Sequence, residues 1–196
     1  EEFLTYVDAP TRALAAELTR AMTEAYPKLE LECKVSRIYR DARRLFGRGP
    51  YKDHLWFSLR KPGEHDSAIP CFFFEVAAQR YSYGMGCWDP TPLTMAKLRA
   101  RIDRDPAPVE KLARQLNRRG EFVLEGELYK RPKGDPGPLL YPWYNRRQIS
   151  FCRDQNCEDL FFTPQLADQV LEGWKSLVPH YRWFRELSAD PAPDHT

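Results

Sequence analysis

Residues 36–53, here called the basic segment, have the composition best suited to chemistry in this sequence. Five of its charged residues, four bases and one acid beside a Gly/Pro turn, could act together: Arg37, Arg40, Arg43, Lys52 and Asp41. Guanidinium forks bind phosphate and carboxylate oxygens in bidentate fashion. We therefore predict an anion-binding site formed by these five residues, in which Asp41 orients one of the arginines.

A structural role for the same residues is the alternative. On an extended strand Arg37 and Arg40 point to opposite faces, so the cations converge only where the backbone bends or bulges. An Arg–Asp network that fastens a hairpin to a helix would use the same residue types, and buried ion pairs perturb local electrostatics just as active sites do. Both interpretations stay open from sequence.

Four further residues are predicted to border the pocket: Glu75, Trp88, Lys130 and Arg131. Glu75 lies inside an apolar run, residues 71–78. An ionised carboxylate there needs a partner or a raised pKa, and an arginine of the first strand is the obvious partner. Glu75 or Asp41 would act as a base only if correctly positioned, so the sequence leaves enzyme and binding protein as alternatives.

A second basic group flanks the long Pro/Gly loop of residues 130–146. The group consists of Lys130, Arg131, Lys133, Arg146 and Arg147, and it accompanies three aromatic residues, Tyr141, Trp143 and Tyr144. Basic residues mixed with exposed aromatics suit stacking on single-stranded nucleic acid or on a nucleotide base. The alternative is a solvated lid, or a loop packed on its own sheet.

Composition limits the remaining classes of function. Thirty bases against twenty-eight acids give a net charge of +2, too balanced to favour a polyanion partner. No apolar run approaches the roughly 18 residues that a membrane span needs, and residues 1–6 lack the features of a signal peptide. Five scattered cysteines favour reduced thiols and a cytoplasmic location.

Metal and nucleophile signatures are weak. Cys152 and Cys157 do not have zinc-finger spacing, the four histidines are dispersed, and no nucleophile motif is legible. We predict no metal and no cofactor, and the sequence does not indicate an oligomeric state.

Hydrophobic periodicity predicts the elements that position these residues. Gly84 and Gly86 leave one face of a predicted strand without side chains, which permits close approach of a ligand or another backbone. The predicted elements are a helix at 10–26, strands at 31–39, 51–59, 68–77 and 81–88, helices at 93–102 and 109–116, strands at 122–129 and 148–152, and a helix from 164 with a break near Pro179 and a short second piece to 187. Residues 60–67 are predicted to be a hairpin loop.

Runs of adjacent strands indicate an α+β fold: a single domain over residues 1–187 with a mainly antiparallel sheet of about five to six strands packed by helices. Residues 188–196 are predicted to be a polar C-terminal tail.

Several motifs, in order, resemble the uncharacterised conserved proteins grouped as domain of unknown function 2461. They are SRIYRDAR at 36–43, PYK at 50–52, Gly86-Cys-Trp88, the Leu98-Arg99 to Ile102 helix, Leu128-Tyr-Lys-Arg-Pro132 and the segment from Leu160 to Pro164. The resemblance implies the fold type and emphasises the Arg–Asp region, but it implies no reaction.

The leading functional hypothesis is a cytoplasmic domain whose Arg-rich pocket binds a small phosphorylated or carboxylated ligand. The alternative is a non-catalytic module that contacts nucleic acid or a protein partner through residues 130–147.

Overall fold

A computed structural model of the chain describes residues 1–41, 43, 45, 47, 49–62 and 69–193. The described helices are α1 (Ala9–Ala25), α2 (Pro92–Arg104), α3 (Ala107–Arg119), α4 (Tyr141–Tyr144) and α5 (Gln165–Glu186). The described strands are β1 (Glu32–Val35), β2 (His54–Arg60), β3 (Cys71–Ala77), β4 (Arg80–Cys87), β5 (Val123–Glu125) and β6 (Ile149–Asn156). Each long element lies where its periodicity predicted it, with bounds that shift by a few residues.

The six strands form one antiparallel sheet in the order β1-β2-β3-β4-β6-β5. The pairing of β2 with β3 sets Phe57 opposite Phe74 and Trp56 opposite Glu75. Because side chains alternate across a strand, the Phe57–Phe74 pair and the Trp56–Glu75 pair lie on opposite faces. The predicted α+β class with an antiparallel sheet packed by helices is confirmed.

Two compact units divide the chain. The described residues of the first unit are 1–41, 43, 45, 47, 49–62, 72–83 and 154–175, and those of the second are 69–71, 84–153 and 176–193. The prediction of a single domain over 1–187 stays a prediction.

Aromatic packing forms the core of the first unit. Phe57 and Phe74 stack with ring centroids 5.3 Å apart, and Trp174 meets Phe57 edge-on at 6.1 Å. The indole N–H of the fully buried Trp174 donates to the Phe73 carbonyl at 3.3 Å. The apolar side of α1 contributes Leu18 and other buried residues, as an amphipathic helix should.

A second aromatic cluster forms the core of the other unit. Trp143 lies 5.1 Å from Phe151, and both rings contact His180 and Phe184. Helix α3 adds buried side chains at the predicted helical spacing, including Val109, Leu112 and Leu116.

Gly86 is needed for contact between strands in this unit. A Cβ added at Gly86 would lie 2.6 Å from the Cβ of Ser150 on β6. Of the two possibilities left open by the sequence, the close neighbour is therefore another backbone.

The predicted break near Pro179 is wrong, because α5 continues without interruption from Gln165 to Glu186. A proline inside a helix removes one hydrogen bond and costs about 3 kcal/mol. Leu177, Val178 and Tyr181 are at most 2% exposed, and the burial of such side chains, at roughly 1.5–3 kcal/mol each, outweighs that cost.

The start of the predicted tail is attached to the fold. Residues Leu187–Ala189 form a 3-10 turn with Leu187 buried, and Asp190 accepts two hydrogen bonds from Arg101 at 2.5 and 2.7 Å. Residues 194–196, Ala68 of the predicted third strand and most of the predicted 60–67 loop lie outside the described residues. None of the described helices is both long and apolar enough to cross a membrane.

Candidate functional site

Arg40 contacts a backbone carbonyl and a carboxylate of the basic segment. Tyr39 and Tyr51 form an antiparallel bridge, which brings residues 38–40 against 50–52. The Arg40 Nε donates to the Tyr51 carbonyl at 2.7 Å, and its guanidinium lies 3.6 Å from Asp53. This guanidinium side chain is only 18% exposed, so its contacts are those expected of a structural fastening.

Arg43 and Arg37 are both exposed. Asp41 accepts from Arg43 through both carboxylate oxygens, at 3.1 and 2.9 Å, so Asp41 orients Arg43, whose side chain is 88% exposed. This pairing raises the pKa of the Arg43 guanidinium. Arg37 is exposed on the surface.

Lys52 lies close enough to Arg40 for the two charges to interact. Burial, together with the charge of Arg40, lowers the pKa of the Lys52 ammonium, and its Nζ lies 5.8 Å from the centroid of the Trp56 ring. The chain thus brings Arg40 and Lys52 together and turns Arg43 towards Asp41. That these residues bind an anion stays a prediction.

Of the four residues predicted to border the pocket, Glu75 belongs to the first unit and the other three to the second, and their role stays a prediction. Glu75 is half-buried opposite Trp56 on β2, and Trp88 is 42% exposed at the end of β4. Lys130 and Arg131 are exposed on the loop that follows β5.

The long loop is largely packed against its own unit. Trp143 and Tyr144 lie in the short helix α4 and are 2% and 8% exposed. Burial and the hydrogen bond from the Tyr144 hydroxyl to Asp103 raise the pKa of that phenol to about 12. Arg146 donates to the carbonyls of Gly126 and Leu124, and its burial lowers the pKa of the guanidinium. Two of the three aromatics are therefore unavailable to stack on a base, which corrects that part of the nucleic-acid hypothesis.

A different set of bases gathers in the second unit, in an open cavity of about 670 Å³. This polar cavity is lined by the charged residues Asp89, Arg99, Glu127, Lys133 and Arg147, together with Tyr129 and several others. The guanidinium carbon of Arg99 lies 5.5 Å from the Tyr129 ring centroid and the Lys133 Nζ lies 4.9 Å from it. Two cations thus share one aromatic neighbour.

Buried Asn145 holds the Lys133 side of the polar cavity. Its side-chain amide donates to the carbonyls of Gly134 and Tyr141, while its carbonyl oxygen accepts from the backbone N–H of Lys133 at 2.6 Å. The Tyr129 N–H donates to the Asn145 backbone carbonyl at 2.9 Å. One residue, 2% exposed, therefore fixes the backbone on both sides of the Tyr129–Lys133 contact, with its side chain bonded to Lys133 and its backbone carbonyl to Tyr129.

Arg147 and Arg99 differ in how far their donors are used. Arg147 bonds to Glu127 at 3.1 Å, and both side chains are more than 60% exposed. The Arg99 Nη1 is buried and has no hydrogen-bond partner within the described part of the chain. Arg99 thus retains donor capacity that the protein itself does not use.

In the sequence, Arg99 and Tyr129 stand out only as parts of family motifs. Thirty residues separate them, and no local pattern links a helix residue to a tyrosine in a distant Pro/Gly loop. The signal in the sequence is the basic group at residues 130–133, in which Lys130 and Arg131 are predicted to border a pocket and Lys133 is not.

The six-stranded antiparallel sheet and its helices define an α+β protein. The profile of a family described as "Conserved hypothetical protein (DUF2461)" matches residues 1–183, and the chain belongs to this family. The resemblance drawn from the motifs is thereby confirmed. No curated protein matches the chain.

Proposed function

We propose that this protein binds a small phosphorylated molecule in the polar cavity. The observation that supports this most strongly is the convergence of Arg99 and Lys133 on Tyr129, with a donor of Arg99 unused by the protein. Rotation of the end of the Arg99 side chain would present that donor to an oxygen in the cavity. The proposal concerns binding and assigns no reaction.

The charge of the cavity favours a multiply charged anion. Of the two carboxylates in the lining, Glu127 is engaged by Arg147, which leaves Arg99 and Lys133 against Asp89. The N-terminal residues of α2, Pro92 and Leu93, also line the cavity, and the positive end of a helix dipole favours phosphate. A phosphate ester, with more than one charge, gains more from this set than a monocarboxylate does.

The shape of the site favours a small ligand over a nucleic-acid strand. A volume of about 670 Å³ is within the range of small-molecule sites, roughly 300–1,000 Å³. Trp143 and Tyr144, which would supply a stacking surface, are buried.

Calorimetric titration with inorganic pyrophosphate tests this proposal through a matched pair of lysines. Lys133→Met removes a cation of the cavity and keeps most of its apolar stem, whereas Lys130→Met removes an exposed cation three residues away that does not line it. We expect Lys133→Met to weaken pyrophosphate binding at least five-fold, about 1 kcal/mol by RT ln K, and Lys130→Met to change it less than two-fold.

Other results would contradict the proposal in distinguishable ways. Equal losses in the two lysine variants would indicate diffuse surface attraction. If Arg40→Met lost pyrophosphate binding and Lys133→Met bound it as the wild type does, the anion site would lie in the basic segment, as the sequence predicted. Tighter binding of a single-stranded oligonucleotide, weakened by Lys130→Met and by rising salt, would favour the interaction module.

A further inference from the structure

The first unit contains a separate, larger cavity. This apolar cavity has a volume of about 830 Å³, within the range of small-molecule sites. Buried side chains from β2, β3 and α5 form part of its wall, among them Leu55, Phe74 and Leu166, and Leu14 of α1 also lines it. Its recessed apolar wall offers burial to a molecule with an aliphatic or aromatic body.

The few charges of this cavity determine which head group fits. Lys52, Asp53 and Glu17 line it, so the lining carries one lysine and two carboxylates. Asp53 is paired with His54 at 2.9 Å and lies 3.6 Å from Arg40, and the bond from His54 lowers the pKa of the Asp53 carboxyl. Arg40 is a further cation beside Lys52, so the two carboxylates of the lining are balanced by these two cations. A free anion gains little from this set, whereas a neutral hydroxyl or carbonyl meets both donors and acceptors.

We infer that the apolar cavity is a binding site for a small neutral molecule with an apolar body and one hydrogen-bonding head group, which lies beside Lys52 and Asp53. This site is independent of the polar cavity: its residues belong to the first unit, and its ligand differs in charge. Exposed Phe162 and Tyr6 also line the cavity, so a protein partner is the competing occupant that an experiment must distinguish.

Cys157 provides a direct reporter of occupancy. It is half-buried in the wall of the apolar cavity, and Cys33 is also half-buried but does not line the cavity. Burial raises the pKa of both thiols. Alkylation with N-ethylmaleimide, followed residue by residue by peptide mass spectrometry, therefore compares a thiol inside the site with one outside it in the same molecule.

With 1-decanol as the probe, we expect the alkylation of Cys157 to slow at least five-fold and that of Cys33 to change less than two-fold. Decanoate, of the same chain length but anionic, should protect Cys157 less than decanol does. Equal protection of the two thiols, or none, would overturn the inference, and stronger protection by decanoate would overturn its assignment of a neutral head group.

Two alanines of α1 give a matched pair of variants. Ala13 and Ala16 are both exposed, but only Ala13 lines the cavity. We expect Ala13→Trp to fill part of the cavity and weaken decanol protection at least five-fold, and Ala16→Trp to leave it within two-fold. Equal effects of the two substitutions would refute the site. The site would also be refuted if light scattering showed a concentration-dependent dimer in which Cys157 is protected without decanol.

Discussion

Protonation of His180 should make the protein markedly less stable in mild acid. The imidazole is 1% exposed and lies 5.0 Å from the Phe151 ring centroid and 6.1 Å from that of Trp143. Its Nε2 is 3.3 Å from the Leu112 carbonyl, and its Nδ1 is buried without a hydrogen-bond partner within the described part of the chain. Burial in this apolar cluster lowers the pKa of His180 to about 4.

The size of the effect follows from proton linkage. In the unfolded chain the same group titrates near pH 6.5, so between about pH 6.5 and 4 the unfolded state binds the proton and the folded state does not. The stability is fully present above pH 6.5 and is lost as the pH falls, by about 1.4 kcal/mol per pH unit. Between about pH 7.5 and pH 5 the free energy of unfolding should fall by about 2 kcal/mol through this group alone.

Urea unfolding at those two pH values, in the wild type and in His180→Phe, measures this contribution. The phenyl ring keeps the aromatic shape without titrating, so the carboxylates that also titrate cancel in the comparison. We expect the wild type to lose about 2 kcal/mol more than His180→Phe between the two pH values. The variant itself should be less stable at pH 7.5 by about 1 kcal/mol, because the bond to Leu112 is lost.

Phe184→Leu is the matched control, because it disturbs the same aromatic cluster and keeps the imidazole. It should lower stability at both pH values and retain the difference between them. The reasoning is refuted if His180→Phe and the wild type lose equal free energy between pH 7.5 and 5, because the folded protein would then bind the proton as readily as the unfolded chain.

Two further predictions concern contacts within the second unit. Asp190→Asn should lower the free energy of unfolding by about 1–3 kcal/mol at neutral pH, because it weakens a bidentate pair with Arg101 in which both side chains are at most 15% exposed. The control Glu186→Gln changes a side chain that is 69% exposed, and it should lower the free energy of unfolding by less than about 1 kcal/mol. Because the bonds from Arg101 lower the pKa of Asp190, this stabilisation is present above about pH 4 and disappears as the pH falls further. Denaturant unfolding that finds equal losses of stability for the two substitutions would contradict the prediction. Gly86→Ala should lower the free energy of unfolding by about 1–3 kcal/mol because the added Cβ meets Ser150. Gly49→Ala, with no atom within 4 Å of the added Cβ, should change it by no more than about 0.5 kcal/mol. Equal melting temperatures of the two variants in thermal unfolding would contradict this prediction.

The arrangement of helices and strands was largely determined by the sequence. The spacing of Leu98 and Ile102, and of Val109, Leu112 and Leu116, predicted α2 and α3, and the apolar run of β3 predicted a buried strand. These patterns are local: a residue's neighbours three or four positions away establish which side of a helix is buried. The fold class followed from the order of the elements, and the family from motifs in the same order.

The partners of individual charged groups depended on tertiary structure. Sequence proximity grouped Arg37, Arg40, Arg43 and Lys52, yet Arg40 bonds to a backbone carbonyl eleven residues away and Arg43 pairs with the nearby Asp41. The convergence of Arg99 and Lys133 on Tyr129 joins a helix to a distant loop, and Asn145 holds that loop in place.

The same distinction explains the two corrections to the secondary structure and the loop. Pro179 has a local preference against helix, but burial around it outweighs that preference in α5. Trp143 and Tyr144 lie in a polar, Pro/Gly-rich segment whose composition predicts exposure. Both are buried, and Trp143 contacts the rings of Phe151, His180 and Phe184. Hydrophobic periodicity repeats every few residues and can be read from one segment, whereas an ion pair or a ring contact depends on which distant segments the completed sheet brings together.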